Sequence, residues 1–331
     1  MIKQLAICGA PSSCGGADTE LWHQIPIWKH LGIELHIVPS QSINSSAAKF
    51  CSDNAIIHNV NAFEEIKGMP VISFCNRVFL SNIEKIKQYS PFTLWVNCMT
   101  YPFPKEKAAH RKGLIDLHLY QTKHGRERIT KQLEPFNKVN SEMFIPYFYS
   151  DNFPYIEDRS TSCLGRISRA DLNKYMGNTI EIFERVLAPK EKEGIILGVN
   201  RTIRQQKLGK IPTWIAAYGP GDITQNRFYS KCSVLLQTST CYENWPRVGL
   251  ECMASGTALV VFKTDGWEGQ VVHKETGYLC ENPRDFIFYA SHLLLNNEER
   301  LRIIRNAKNR LKDIAGLEAS AESWRRIFNN I

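Results

Sequence analysis

What the 331-residue sequence lacks narrows the field first. No run approaches ~18 consecutive apolar residues, so no transmembrane helix is expected. The opening Met-Ile-Lys-Gln-Leu-Ala-Ile-Cys-Gly-Ala-Pro has too short an apolar stretch for a signal peptide and reads as a first strand. The ten cysteines include no C-x-x-C pair, and no histidine cluster accompanies them at zinc spacing. Several, among them Cys8, Cys98 and Cys232, sit within or beside apolar strands. They read as buried reduced thiols of a cytoplasmic protein, not as disulfides or metal ligands. G-x-G-x-x-G is absent, which removes the dinucleotide fingerprint, and no D-x-D motif is assigned to a metal. Neither a fixed-period repeat nor a low-complexity segment occurs.

What is present is ordinary for a soluble globular protein: 43% apolar and 22% charged residues. The length exceeds what one hydrophobic core organises, so two domains are expected. Short apolar strands alternate with amphipathic stretches along the whole chain, and this predicts an α/β fold with parallel, doubly wound sheets. The chain opens as a βαβ unit: a strand over residues 3–8, a helix over 17–31 and a strand over 33–38. The loop between the first two, Gly9 to Gly16, is rich in small residues. Gly15 and Gly16 at a helix N-terminus let the backbone approach a ligand, and the free N–H groups favour an oxyanion or phosphate. Strands are predicted near 55–60, 70–74, 93–96, 116–120 and 144–147. The aperiodic run Ser150 to Ser160 marks a linker. The expected division is a first domain over 1–155, a second over 156–316, and a last helix within 317–331 that returns to the first.

In the second half, the strand ending at Gly165-Arg166 leads through a basic loop with Arg169 and Lys174 into a helix expected over 172–187. The densest signal runs from Gln237 to Glu281. A strand ends at Leu236. Glu243 and Glu251 follow, eight positions apart around Asn244-Trp245-Pro246. Pro246 suits a helix start, where its missing N–H costs nothing. The helix carries Val248, Leu250, Met253 and Ala254 inward and stops at Gly256. A second apolar strand follows, Ala258 to Phe262, then Asp265-Gly-Trp-Glu-Gly-Gln-Val271 and Thr276-Gly277-Tyr278-Leu279.

This ordered run resembles the signature of retaining glycosyltransferases of the GT-B fold, family 4: E-x7-E, an A-x-G helix end, an apolar strand, a G-G-x-x-E-x-V turn and a T-G-x-L close. Gly165-Arg166 resembles the family's G-R-x-x-x-x-K element, with a longer spacing to Lys174. Where many members follow the first Glu with Gly-Phe-Gly, this chain has Asn244-Trp245-Pro246-Arg247. The resemblance covers residues 163–308 well and the first half in outline. It implies two Rossmann-like domains facing each other across a cleft, with sugar transferred from a nucleotide sugar, UDP ahead of GDP, with retention of configuration. It implies that Glu243 contacts the donor sugar and Glu251 the ribose, and that Arg166 and Lys174, with Arg169 as competitor, hold the diphosphate. Asn244, Trp245 and Pro246 would line the sugar pocket, with Gly15 and Gly16 facing it from the first domain. No bound metal or other cofactor is implied. The first domain's strand-end loop, Asn97 to Tyr101, lacks the histidine that family members often place near the anomeric carbon. His110, His118 and His124 lie nearby in sequence and read as structural.

The formal net charge is +8. Residues 104–131 hold eight Lys/Arg and three acids, a local +5. Such a segment is either a solvated helix face or a surface for an anionic acceptor, such as membrane headgroups or nucleic acid. It is also the only support for the rival reading, a protein of this fold that binds nucleic acid without turnover. The acceptor itself is not legible: a glycan, lipid, small molecule or modified nucleic acid all fit.

Overall fold

Apolar runs too short for helices, separated by amphipathic stretches, fold here into two parallel sheets flanked by helices. The structure, a computed structural model, describes residues 2–12, 16–43, 45–159 and 161–331. The chain divides into two units, Met1–Phe148 with Ile314–Ile331, and Tyr149–Asp313.

The first unit runs β1 (Gln4–Cys8), α1 (Ala17–His30), β2 (Glu34–Val38), α2 (Ser45–Asn54), β3 (Ile56–Ile57), β4 (Val71–Phe74), α3 (Arg77–Tyr89), β5 (Thr93–Val96), α4 (Pro104–Arg111), β6 (Leu117–Tyr120), α5 (Lys123–Leu133) and β7 (Ser141–Met143). Its seven strands take the order β3-β2-β1-β4-β5-β6-β7, all pairs parallel. Strands such as Val-Ile-Ser-Phe and Thr-Leu-Trp-Val are buried at every position, as a sheet covered on both faces requires. The strand expected over 144–147 lies three residues earlier. Ser141-Glu142-Met143 has no apolar alternation because β7 is an edge strand, and Phe144 is buried in the core instead.

The second unit runs β8 (Ser162–Ile167), α6 (Thr179–Arg185), β9 (Lys192–Leu197), α7 (Arg201–Ile203, continuing as a π-helical turn to Leu208), β10 (Ile215–Tyr218), α8 (Gln225–Lys231), β11 (Val234–Gln237), α9 (Arg247–Ser255), β12 (Ala258–Phe262), α10 (Asp265–Gln270), β13 (Tyr278–Cys280), α11 (Pro283–Leu295) and α12 (Asn297–Ala315). The order is β10-β9-β8-β11-β12-β13, again parallel. The strand order reverses between β8 and β11, and the carboxyl ends of such a pair are where open α/β sheets bind ligands. The helix expected over 172–187 is two pieces: a 3-10 turn at Leu172–Lys174, then α6 from Thr179. Between them the chain is drawn against the sheet. Tyr175 donates its hydroxyl to the Gly198 carbonyl (2.9 Å), and the Met176 N–H reaches the Thr238 carbonyl (3.1 Å).

The last helix, α13 (Leu317–Asn329), belongs to the first unit. Trp324 meets Trp28 of α1 edge to face at 5.2 Å and donates its indole N–H to Gln24 (2.9 Å). The unit boundaries differ slightly from 155 and 316 for local reasons. The Phe148 N–H bonds the Ala315 carbonyl (2.9 Å), which keeps both in the first unit. Ile156 and Arg159 bond the Ser255 carbonyl, which ties the linker to the second. Among the described residues no helix is long and apolar enough to cross a membrane.

Candidate active site

In the second unit, the loops after β8, β9 and β11 assemble most of the residues singled out in the sequence. Arg166, near the end of β8, is 0% exposed. Its Nε donates to Thr238 Oγ1 (3.0 Å), Nη1 to Ser168 Oγ (3.0 Å) and Nη2 to the Lys174 carbonyl. The guanidinium carbon lies over the Tyr175 ring, 3.5 Å from its centroid, and burial brings its pKa down to about 10. Thr238 Oγ1 in turn meets Thr179 Oγ1 at 2.8 Å.

Lys174 closes the 3-10 turn, and its ammonium pairs directly with the Glu243 carboxylate. Both side chains are partly withdrawn from solvent, 12% and 22% exposed, so the pair is screened less than a surface bridge. The structure thus joins a basic loop and the first glutamate of the eight-residue spacing, which lie 69 positions apart. Arg169 lies on the same loop, exposed, in the wall of a cavity of about 680 Å³ formed with Asp171, Leu172, Asn173, Asn200 and Thr202. That volume falls in the usual range for small-molecule sites. The cavity lies between the loops after β8 and β9. Gly198 makes that approach possible: it has φ +100°, and a Cβ there would fall 1.8 Å from the Ser168 carbonyl oxygen.

Asn244 and Pro246 are buried, and Trp245 is half-buried, with no partner for its indole N–H among the described residues. Gly266, in the first turn of α10, packs directly on this segment. A Cβ there would stand 2.3 Å from the Glu243 carbonyl oxygen and 2.6 Å from that of Asn244. Pro246 forms the N-cap of α9, which ends at Gly256 in the left-handed conformation. Glu251, inside α9, is 3% exposed. It accepts from the Tyr229 hydroxyl (2.8 Å) and Gln225 Nε2 (3.4 Å). Burial raises its pKa against the opposing pull of Arg247 and Tyr229.

Gly16 sits before α1 in the first unit, with open space where a Cβ would be, and Gly15 lies outside the described residues. His110 and His118 are not solitary. His118 Nε2 and His110 Nδ1 are 3.2 Å apart, and His110 Nε2 faces the Asn137 carbonyl at 3.1 Å. Glu106, fully buried on α4, accepts from Asn97 Nδ2 (2.8 Å) and the Phe103 N–H (3.0 Å), which fixes the loop after β5. These are internal supports of the first unit. Tyr175, Thr179, Thr238 and Tyr229 received no role from the sequence, and Gly266 entered only as part of the Asp265–Val271 turn. A lone hydroxyl carries no periodic signal, and their importance comes from what folds against them.

Three comparisons bear on this arrangement. Residues 219–310 match the family model described as Glycosyl transferases group 1, a segment that contains Glu243 and Glu251. An uncharacterized glycosyltransferase of Haemophilus influenzae is 31% identical over 103 residues, a match covering 30% of this chain and 29% of that protein. Among solved structures, Anabaena Alr3699/HepE in complex with UDP and glucose is similar with a TM-score of 0.74 at 12% identity over the full length of both chains. TarM is similar with a TM-score of 0.80 at 12% identity, covering 99% of each chain. Over its whole length the chain therefore has the GT-B fold of these glycosyltransferases, and its second unit carries the segment that matches the group 1 family model.

Proposed function

We propose that this protein is a retaining glycosyltransferase of family 4. It transfers a sugar from a nucleotide sugar, UDP ahead of GDP, to an acceptor that the site does not identify. The observation that carries the reading is the Lys174–Glu243 pair, set in the loops that follow β8 and β11, with Glu243 inside the family-matched segment. In the reaction the bond from the anomeric carbon to the diphosphate oxygen breaks, and a bond to an acceptor oxygen forms. The nucleoside diphosphate leaves with added negative charge, and its leaving phosphate oxygen takes up the acceptor proton. Arg166 and Lys174, with Arg169 beside them, stabilise the leaving diphosphate, Glu243 positions the donor sugar beside Lys174, and Asn244, Trp245 and Pro246 shape the sugar pocket. Glu251 serves the ribose. The Anabaena protein, bound to UDP and glucose, supports the preference for a UDP donor.

The cytoplasm is the proposed compartment, with the acceptor's anionic group as the partner of the basic first-unit surface. On that surface Lys112 pairs with Glu84 at 2.6 Å and Lys123 with Glu127 at 3.9 Å, while Arg126 donates to Ser141 and keeps its charge.

A thermal-shift screen against UDP, GDP, ADP, TDP and CMP with their sugars tests the donor. Ligand at ~100 times its Kd adds about 2.7 kcal/mol to stability, a readable shift. Stabilisation by UDP or GDP and loss of transfer in E243Q support the proposal. Full turnover in E243Q, or salt-sensitive DNA binding with no nucleotide response, overturns it.

A further inference from the structure

We propose that Cys75 and Cys98 are a redox-active thiol pair that closes to a disulfide by exchange with a low-molecular-weight disulfide of the glutathione type. The inference goes beyond the glycosyltransferase reading and does not depend on it. Cys75 stands one residue past the end of β4 and Cys98 two past the end of β5, and these strands pair in parallel with Phe74 opposite Val96. The Cys75 N–H continues that ladder to the Val96 carbonyl (3.0 Å), so the two chains keep sheet spacing where the cysteines lie. Neighbouring strands are about 4.8 Å apart, inside the ~4.4–6.8 Å between the α-carbons of a disulfide.

Three features set this pair apart from the other thiols. Cys75 has φ +49°, in the left-handed region that side chains other than Asn and Asp seldom enter. Backbone of that kind is held by its surroundings and gathers at functional sites. Here it aims the thiol at the neighbouring strand end: the Cys75 sulfur accepts the Cys98 N–H at 3.0 Å, and its S–H donates to the Val96 carbonyl at 3.6 Å. Both cysteines are half-buried, whereas Cys8, Cys163 and Cys232 are buried. The Cys75 thiol, then burial, raises the pKa of Cys98, and Glu20 and Asp18 add to the rise. Cys98 therefore keeps its proton while Cys75, the sulfur that receives an N–H, carries the charge. β4 is also one of the two strands between which the order of this sheet reverses, and the carboxyl ends at such a point are where ligands bind.

The exchange runs in two steps. The Cys75 thiolate attacks one sulfur of glutathione disulfide, its S–S bond breaks, and one glutathione leaves as a thiolate. Cys75 is now a mixed disulfide, and its charge no longer opposes ionisation of Cys98. Cys98 loses its proton, attacks the Cys75 sulfur and expels the second glutathione. The protein gives up two electrons and two thiol protons. The small disulfide takes both electrons, and its two sulfurs end as thiols.

The test treats the folded wild-type chain with glutathione disulfide, blocks the remaining thiols with N-ethylmaleimide and maps tryptic peptides by mass spectrometry. Cleavage after Lys67, Arg77, Lys87 and Lys105 puts the two cysteines in peptides 68–77 and 88–105. The expected result is one linked pair of these peptides, a loss of two blockable thiols, and recovery of both with dithiothreitol. C98S should stop at a glutathione adduct on Cys75, formed about tenfold faster than on the half-buried Cys241. In C75S, disulfide formation at Cys98 should fall about tenfold or more. Absence of the linked pair in wild type, or a link from either cysteine to a third one, overturns the proposal. Adduct formation at Cys98 first, with Cys75 untouched, overturns the order of attack. The wild-type map needs no variant, so a serine variant that fails to fold leaves the pairing decided.

Discussion

Replacing Gly266 by alanine probes a close backbone approach beside Glu243. The added Cβ would lie 2.3 Å from the Glu243 carbonyl oxygen, 2.6 Å from that of Asn244 and 2.8 Å from the Glu243 carbonyl carbon. Carbon–oxygen contacts are comfortable at about 3.3 Å, so something must move by about 1 Å. The obstruction is main chain on both sides, and no rotamer relieves it. Overpacking of this kind costs about 1–3 kcal/mol. The second unit spans 165 residues (Tyr149–Asp313, 313 − 149 + 1), a size at which each kcal/mol shifts Tm by about 2–4 °C. The expected loss is therefore about 2–12 °C, accompanied by displacement of the segment that carries Glu243. The control is G177A, at a glycine of the same unit with open space around its Cβ position, which should leave Tm within a degree or so. Differential scanning calorimetry and nucleotide-induced stabilisation measured on both variants decide the matter. If G266A melts with G177A and responds equally to nucleotide, α10 does not clamp the Glu243–Asn244 backbone and the account of the loop is wrong.

Three further outcomes follow. R159A removes a guanidinium that donates to the carbonyls of Ile156 (2.7 Å), Ser255 (2.7 Å), Tyr229 (3.1 Å) and Gly256, tying the linker to the end of α9; it should cost about 3–5 kcal/mol by denaturant unfolding, and a loss under 1 kcal/mol would show that this tie is dispensable. E251Q keeps an acceptor for Tyr229 and removes a carboxylate whose pKa burial raises. It should therefore melt higher than wild type at pH 7, with the advantage vanishing as acid protonates Glu251; a lower Tm at pH 7 contradicts the sign, and nucleotide affinity in the same variant tests its proposed service to the ribose. Burial lowers the pKa of His110, His58 and His273, so the unfolded chain takes up protons first as pH falls below 6.5. Stability present above that pH should decline as pH falls below about 6.5, and less steeply in H110N, a trend that Tm against pH would refute if flat.

Much of this was legible in the sequence because the signals were local. β12 is an unbroken apolar run and β11 one up to Gln237, and α9 has Pro246 as its N-cap and Gly256 as its C-cap, where the residues say it should start and stop. β7 was misplaced because an edge strand needs no apolar pattern, and α2 was missed because Ser-Ser-Ala-Ala-Lys-Phe-Cys-Ser-Asp-Asn has little periodicity.

By itself, the sequence determined the alternation of strands and helices, the two-unit organisation and the short list of charged residues in the second unit, because each follows from neighbours in the chain. Only the tertiary structure decided what those charges do. Arg166 and Lys174 read alike as basic residues of one loop. Yet folding β8 against β11 brings Thr238 and Tyr175 around the first and Glu243 to the second. The guanidinium is buried and saturated, while the ammonium remains at the edge of the site. Which cation is enclosed depends on contacts 69 and 72 residues away in the chain, and no local pattern encodes separations of that length.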